Sequence, residues 1–549
     1  MALLTRRAIW ASTPALMLVA AAPGVLAAPE AADTILSNGQ VFTVDQKRSW
    51  AQAVAIRAGK IVYVGSNEGA SAFRGARTQV IDAGGRVVLP GFIDTHNHVY
   101  LRAEEMFWLK LPGAPRPIGP ADPGEASMES YRQAIAAYRA KNLGLQQIRG
   151  VGFHLEWLRA TASAQGKPPR VLLDELVGDI PTAIVAMSHH ELWVNSAALR
   201  RAGLTKDTPE PAGAVIERDP KTGEPNGILH EFGAHDLVLS KLPQPDSSTE
   251  EYRQAVESWQ QLAARRGVTG AIVPTHVTTL PFFNAMQRLS DEGKLTARYN
   301  VAQWANENRG VSQVPELIAT RARFAGGRYF KLNTIKIFAT GVPGAGKEML
   351  WAQDSLNATM AAFDKAGFRL YIHDIGSTES YGKTLDAFEY ALTRNGPRDS
   401  RHIISHVFPM AAPLAGRFKA LGVRADGHPA PKVFYDLGVP TTCSSDYPVW
   451  DFNPLPRIQR GVQEGVPLQD MIVSQTLRGA EALFAETETG SIEVGKAADL
   501  IVLDRDIFRL APEAIGEAKV ILSMFAGAVQ YRDDKAGFAA AGGRGVAMA

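Results

Sequence analysis

The 549-residue sequence predicts an α/β protein: a TIM-type (β/α)8 barrel, a subdomain inserted after the first barrel strand, and a small β-sandwich domain built from both chain ends. Three observations support this prediction. Eight strand-like apolar runs alternate with helical patterns, which favours parallel strands joined by helices. Residues 101–245 are too many for one loop between the first two runs. Residues 33–88 and 488–532 both consist of short strands separated by turns, so we expect them to form one domain.

The chain ends carry the turn signals of short β-hairpins. Asn38-Gly39 and Gly59-Lys60 each separate two β-rich runs, and such glycine dipeptides are favoured in two-residue hairpin turns. The segments 33–88 and 488–532 are therefore expected to pair as the composite β-sandwich. The remaining tail, residues 533–549, is rich in Gly and Ala and is predicted to be disordered.

Residues 1–28 have the composition of a signal peptide. Arg6 and Arg7 precede an apolar run at 15–22, and Val25-Leu26-Ala27 resembles a cleavage site. The apolar run is too short to form a stable membrane anchor. The paired arginines resemble a twin-arginine export signal, and the alternative is an ordinary secretory signal. Both interpretations predict a periplasmic or secreted protein that begins near Ala28.

Residues 89–487 are predicted to form the barrel, including the inserted subdomain at 101–245. Expected helices between the strands include Thr249–Arg266, Leu350–Ala366 and Tyr381–Arg394. In TIM-type barrels the chemistry lies at the C-terminal ends of the strands. The eight expected strands are Val87–Asp94, Val268–Thr275, Ala297–Trp304, Leu332–Ala339, Phe368–Asp374, His402–Val407, Gly422–Asp426 and Val439–Ser445.

Two histidines follow the first predicted strand. His96 and His98 are two positions apart, so in an extended backbone they point to the same side and can bind one metal ion together. Each of the other polar residues at the strand ends also has a structural interpretation, since a histidine or lysine in an apolar strand can be a core residue with its hydrogen bonds satisfied. Polar groups at five strand ends of one barrel nevertheless predict a metal site. Beyond the two histidines, they are Lys336, His373, His406 and Asp446.

The composition argues against some classes of function. The chain has 58 basic and 56 acidic residues, a net charge of +2 and no basic run, which argues against nucleic acid as the main partner. The single cysteine, Cys443, excludes internal disulfide bonds. Its position in an apolar strand favours a buried thiol over a nucleophile.

The expected partner is a small-molecule substrate. A homodimer is one expectation for the assembly, although no residue pattern specifies it.

The order of the metal-binding groups resembles that of the metal-dependent amidohydrolase superfamily. The closer similarity is to its amidohydrolase 3 group, which includes YtcJ-like and N-substituted formamide deformylase-like proteins. The resemblance covers nearly all of residues 33–530. It is carried by Pro90–His98, Arg170–Asp174, Ser188–Leu199, Gly223–Glu231, Arg401–His406 and Ser445–Pro448.

This resemblance implies a pair of divalent metal ions, with zinc the expected metal. His96 and His98 would bind the more buried ion, and His373 and His406 the more exposed one. Lys336, carboxylated on its amine, would bridge the two ions. The chemistry agrees, because a desolvated lysine has a lowered pKa and its neutral amine can take up CO₂.

The implied reaction is hydrolysis of a non-peptide C–N bond in an amide, formamide, carbamate or cyclic amide. Asp446 would contact the first ion and shuttle the proton from a metal-activated water to the leaving nitrogen. The same site suits ester or lactone hydrolysis, whereas a mononuclear deaminase fits Lys336 less well. A non-catalytic binding barrel would not need every ligand. Asp426 and His428 are candidates for the pocket wall. The candidate substrate-binding residues are His190, Trp193, Asn195, His276 and Trp304.

Overall fold

The fold is described by a computed structural model. The predicted signal segment, 1–28, lies outside the described residues. These are 29–538, apart from 114–124, 244–246, 277–278, 325–326 and 342–347.

Eight parallel strands follow one another in sequence order around a nearly closed barrel. Each strand pairs with the next along the chain. The first and eighth strands approach at their C-terminal ends, where the Asp446 N–H donates to the His96 carbonyl at 2.7 Å and the His98 N–H to the Tyr447 carbonyl at 2.9 Å. The mixed α/β class and the TIM-type barrel are thereby confirmed. The barrel strands are, from first to eighth, Phe92–Asp94, Val268–Pro274, Arg298–Trp304, Phe330–Phe338, Arg369–His373, Ile403–Ser405, Arg424–Gly427 and Thr441–Cys443.

The first barrel strand is shorter than the sequence predicts. Val87–Asp94 is not one strand but two, broken at Gly91. Val87–Pro90 pairs in a different sheet with strands from both chain ends, and only Phe92–Asp94 enters the barrel. Gly91 permits this change of sheet because a Cβ at its position would collide with the Thr269 side chain.

Helices follow most of the barrel strands. Thr249–Arg266 has the predicted bounds, because Ser248 and Glu251 form a capping box at its start and Gly267 takes the left-handed conformation at its end. Within the described residues, no helix is both long and apolar enough to cross a membrane. The helices from this region onward are Thr249–Arg266, Leu280–Asp291, Val314–Arg323, Gln353–Lys365, Thr378–Asn395, Ala415–Leu421, Lys432–Asp436, Pro454–Gln463, Leu468–Gln475 and Leu477–Ala482.

The chain ends form two further sheets, one from N-terminal strands alone and one from strands of both ends. Their facing side chains share one apolar cluster, which includes Leu36, Ile56 and Val502. The four-stranded sheet contains Thr34–Ser37, Ala53–Arg57, Lys60–Gly65 and Gln79–Asp82, and the short helix Asn67–Ser71 packs beside it. The six-stranded sheet contains Gln40–Phe42, Trp50–Ala51, Val87–Pro90, Leu500–Leu503, Val520–Phe525 and Ala528–Arg532.

Between the first and second barrel strands the chain forms a separate six-stranded sheet. The turn before one of its strands, Glu191–Val194, carries His189 and His190 to the mouth of the barrel. The strands are Leu109–Lys110, Ile148–Val151, Thr182–Val185, Glu191–Val194, Val215–Arg218 and Pro225–His230. The helices are Arg102–Phe107, Met128–Lys141, Leu155–Gln165, Pro169–Val177, Ser196–Ala202 and Glu231–Leu239.

The beginning of the predicted disordered tail is ordered. Asp534–Ala536 forms a 3-10 helix, and the Phe538 side chain is buried. The guanidinium groups of Arg86 and Arg532 lie 5.5 and 5.0 Å from the centre of the Phe538 ring, and such cation–π contacts hold an aromatic side chain against the surface. Residues 539–549 lie outside the described part of the chain.

Candidate metal centre

The six predicted ligands meet at the C-terminal mouth of the barrel, where they line one cavity. Each comes from the end of a strand, as expected for this fold. His406 and Asp446 adopt the left-handed backbone region, with φ angles of 61° and 56°. Residues other than glycine rarely adopt this region, and it recurs at functional sites. Here it turns both side chains into the cavity immediately after their strands end.

One group of ligand atoms lies between the first and eighth strands. The His98 Nε2 atom is 3.0 Å from Asp446 Oδ1, and the His96 Nε2 atom is 3.3 Å from the same oxygen. These three side chains can hold a metal ion together. The arrangement suits a divalent cation, because imidazole nitrogens and a carboxylate oxygen are ordinary zinc ligands.

A second group lies beside the first. The ring centres of His373 and His406 are 4.6 Å apart, and those of His96 and His406 are 4.7 Å apart. His406 also forms a ligand-capable set with His428 and Asp446. Asp446 thus belongs to both sets.

Several buried polar atoms of this cavity lack a hydrogen bond, judged over the described residues. They are both ring nitrogens of His96, the Nε2 atom of His373 and the Nζ atom of Lys336. Leaving such groups unsatisfied costs about 1–3 kcal/mol each.

Burial lowers the pKa values of His96, His373 and His406 well below 6.5. The imidazoles are therefore neutral and present the lone pairs that a metal ion needs.

Lys336 lies in the fourth strand, paired with Trp304 on one side and Tyr371 on the other. Its side chain is fully buried, and its Nζ atom is 4.8 Å from the centre of the Phe338 ring. Burial lowers the pKa of this amine to about 7, against the opposing effect of Asp446 and Asp426. A substantial fraction of the amine is therefore neutral at neutral pH, as carboxylation requires.

Asp426 accepts hydrogen bonds from four hydroxyl groups beneath the metal ligands. Its fully buried carboxylate accepts hydrogen bonds from the Thr95 and Thr442 hydroxyls at 2.7 Å, and it also accepts from Tyr371 and Ser444. The Tyr371 ring in turn meets the His96 ring edge to face, with centres 5.2 Å apart. The seventh strand therefore fixes the position of His96 indirectly.

The cavity over the ligands has a volume of about 40 Å³. His190 and His276, two of the predicted substrate-binding residues, line it together with Phe232 and Phe338. Trp304 lines a neighbouring cavity of about 30 Å³. His189, Phe232 and His276 border both cavities and so separate them.

Two side chains of the wall have fixed hydrogen-bond partners. The His190 Nδ1 atom is 2.8 Å from Glu231 Oε2. Burial alone would lower the pKa of His190, but the charge and hydrogen bond of Glu231 raise it. The Tyr100 hydroxyl bonds to His276 Nδ1. Both histidines are therefore held in one orientation at the cavity.

Trp193 and Asn195 do not reach the cavity, and a role in substrate contact does not fit their positions. Trp193 is fully buried, and its indole N–H donates to the Pro169 carbonyl at 3.0 Å. The Asn195 side chain caps the helix Ser196–Ala202 and also donates to the Ile180 carbonyl. Both are structural parts of the inserted sheet.

The sequence did not indicate the roles of Glu231 and Phe232. Both lie at the start of the helix Glu231–Leu239, far along the chain from any barrel strand. Phe232 lines the cavity, and Glu231 acts on it only through its contact with His190. Both contacts depend on tertiary packing, so no spacing pattern marks these roles. His428 directly follows the seventh strand, where the sequence made it a candidate for the pocket wall. It does not line the cavity but contacts His406, which does.

Residues 79–531 match the sequence model of the Amidohydrolase family. The chain belongs to this family. Amidohydrolases act on C–N bonds, so the protein is a metal-dependent hydrolase of that class.

Two relatives extend over most of the chain. N-substituted formamide deformylase from Arthrobacter pascens is 26% identical over 556 residues, which cover 91% of this chain and 98% of the relative. Protein LONG AFTER FAR-RED 3 from Arabidopsis thaliana is 27% identical over 539 residues, which cover 86% of this chain and 87% of the relative. Their different names show that membership of the family does not by itself specify a substrate.

Solved structures share the fold. An uncharacterized metal-dependent hydrolase from Pyrococcus horikoshii matches with a TM-score of 0.64 and 19% identity, covering 87% of this chain and 99% of that chain. The atrazine chlorohydrolase TrzN from Arthrobacter aurescens matches with a TM-score of 0.52 and 14% identity, covering 91% of this chain and 95% of that chain. At these identities the likeness concerns the fold alone.

Proposed function

We propose that the protein hydrolyses a non-peptide C–N bond in a small molecule whose acyl group is no larger than formyl or acetyl. The observation that carries the proposal is the convergence of four histidines, a buried lysine and an aspartate on one small cavity. They are His96, His98, His373, His406, Lys336 and Asp446.

The donor set suits two divalent ions, and zinc is the metal we propose. His96 and His98 would hold one ion, and His373 and His406 the other. Lys336 would bridge them as a carbamate, because its buried amine has a pKa lowered to about 7. A carbamate also supplies the negative charge that two neighbouring dications require.

Asp446 is the proposed proton shuttle. When bound, divalent ions supply Lewis-acid activation of water and of the scissile carbonyl. Burial alone would raise the pKa of Asp446, but its contact with His98 and the neighbouring basic side chains lower it overall. Asp446 is thus ionised at neutral pH and can accept the proton of the attacking water. It can then deliver that proton to the leaving nitrogen.

The cavity supports the proposed substrate class. A volume of about 40 Å³ leaves little room for an acyl substituent. The cavity beside Trp304 lies beyond Phe232 and His276 and offers space for the group on nitrogen. The name of the Arthrobacter pascens relative, a formamide deformylase, agrees with a small acyl group. An N-substituted formamide is therefore the first substrate to test.

The test is a panel of compounds that share one amine and differ in the acyl group. N-formyl, N-acetyl and N-benzoyl derivatives, a carbamate, a lactam and matched esters would be assayed with metal-loaded enzyme. We expect turnover of the N-formyl compound that disappears on chelation and returns with zinc. Faster hydrolysis of every ester than of its amide would assign the site to esters. Binding without turnover across the panel would contradict an enzyme of this substrate class.

Export is proposed from the sequence of residues 1–28 alone. Replacing Arg6 and Arg7 together by lysine should retain the protein in the bacterial cytoplasm if the twin-arginine route is used. Cell fractionation and the mass of the mature N-terminus, expected near Ala28, are the measurements. Unchanged export of the double variant would favour the ordinary secretory route.

A further inference from the structure

We propose that His428 is a positioning residue of the metal centre. It would hold His406 in the tautomer and ring orientation that leave the His406 Nε2 atom free for a metal ion. This inference rests on the proposed function only in requiring that the cavity binds metal. It does not depend on which bond the enzyme cleaves.

The His428 ring is fixed in place. It follows the seventh strand, Arg424–Gly427, and is 5% exposed. The Trp450 ring stacks on it at 20° with centres 6.1 Å apart, and Phe408 lies 6.1 Å away on a tilted plane. Gly427 allows the tight turn that contains His428, since a Cβ there would lie 2.6 Å from the Ala430 nitrogen.

The hydrogen bond to Ser444 decides the tautomer of His428. Its Nδ1 atom lies 2.9 Å from the Ser444 carbonyl oxygen. A carbonyl oxygen can only accept, so the His428 Nδ1 atom must carry hydrogen. With one hydrogen on its ring, carried by Nδ1, His428 presents a lone pair at Nε2.

The tautomer of His428 determines that of His406. The His428 Nε2 atom lies 2.9 Å from the His406 Nδ1 atom, a normal hydrogen-bond distance. Two facing lone pairs would repel each other, so the His406 Nδ1 atom must be the donor. The remaining lone pair of His406 is then on Nε2.

His428 thus links three barrel strands at the metal centre. The Ser444 carbonyl lies two residues before Asp446, and His406 follows the sixth strand. Metal-binding histidines usually donate their other ring N–H to a fixed acceptor, and loss of that acceptor typically costs about 10–100-fold in metal affinity or activity. In this chain the acceptor for His406 is another histidine.

The test uses the metal-depleted full chain titrated with Co²⁺, whose visible spectrum reports ligand geometry. His428→Ala should weaken binding of one of two ions about 10–100-fold and shift the absorption bands. His428→Gln keeps an oxygen that can accept from His406 and should recover most of the affinity. His402→Gln is the matched control, because His402 is also buried and bonds to the Leu370 N–H, away from the cavity. It should bind Co²⁺ like the wild type.

Two outcomes would overturn the inference. If His428→Ala keeps the wild-type affinity and spectrum, His428 does not position His406. If X-ray absorption shows one histidine fewer per Co²⁺ pair in both His428 variants at full occupancy, His428 is a direct ligand. Because the readout is metal binding, failure of the substrate panel leaves this test intact. Failure of the wild type to bind Co²⁺ would instead refute the metal centre and this inference with it.

Discussion

The Nε2 atom of His98 lies 3.0 Å from the Oδ1 atom of Asp446, although 348 positions separate the two residues. The contact crosses the seam where the first and eighth strands close the barrel. At the same seam the Asp446 N–H donates to the His96 carbonyl, and Asp94 accepts from the Ser445 N–H at 2.9 Å. The hydrogen bonds that close the barrel therefore also assemble the first group of metal ligands.

Lys336→Ala should lower the metal content of the purified protein from about two ions per chain to one or fewer. The bridging anion would be lost, and two dications would then face each other without compensation. Elemental analysis after metal-replete expression is the measurement. Lys331→Ala is the control, since Lys331 is in the same strand but bonds to the Phe484 carbonyl away from the cavity. One ion in both wild type and Lys336→Ala would show that Lys336 is not a ligand.

The metal-free protein should become more stable as pH rises from about 7 to about 8.5. The buried Lys336 amine has a pKa lowered from 10.5 to about 7, so in this window the unfolded state binds more protons than the folded state. The free energy of unfolding then rises by up to about 1.4 kcal/mol per pH unit. Calorimetric melting of wild type and Lys336→Met at both pH values measures the effect.

Comparison with Lys336→Met isolates the lysine. Burial lowers the pKa values of His96 and His373 below 6.5, so their contribution changes only at lower pH. The pKa of His190 is raised and that of Glu307 is raised to about 7, but both groups are present in the two proteins, so their effect cancels in the difference between the slopes. Burial raises the pKa of Cys443 from 9.0 to about 12, which lowers stability only towards and above pH 9. The rise in stability with pH should be lost in Lys336→Met. An equal slope in both proteins would mean that Lys336 is not desolvated in the metal-free state.

Much of the site was predictable because its chemistry follows local rules. His96 and His98 share one side of an extended segment, and the other ligands stand where barrel strands end. The helix Thr249–Arg266 was predicted with its true bounds. Its ends are set by residues adjacent in sequence, the Ser248–Glu251 capping box and the terminal Gly267.

What the sequence did not reveal depends on distant partners. Val87–Asp94 is an unbroken apolar run, and only packing of Gly91 against Thr269 shows that it changes sheets. Trp193 lies close to His190 in sequence but belongs to the core of the inserted sheet. Residues near one another in a strand can face opposite sides, so sequence proximity to a site residue does not predict contact.

Asp446→Asn should reduce turnover of the N-formyl substrate by about 10²–10⁴-fold at saturating zinc. The amide cannot accept the proton of the attacking water or return it to nitrogen. Metal content is measured in parallel, because Asp446 also contacts the ligand group. Asp451→Asn is the control, since Asp451 is exposed and pairs with Arg266. Turnover within tenfold of the wild type, with both ions bound, would assign the proton shuttle to another group.

Phe232→Ala should relax the selection for small acyl groups. The Phe232 ring stacks on His276 with centres 5.0 Å apart and packs 4.5 Å from the Phe338 ring, and it borders both cavities. Its removal would join them, so kcat/KM for the N-benzoyl compound relative to the N-formyl compound should rise about 10-fold or more, the scale on which apolar pockets discriminate size. Phe153→Ala, in the apolar core of the inserted sheet, is the matched control. General loss of folding would lower kcat/KM for both substrates together and leave their ratio unchanged. An unchanged ratio in a Phe232→Ala variant that is folded would show that Phe232 does not limit the size of the acyl group.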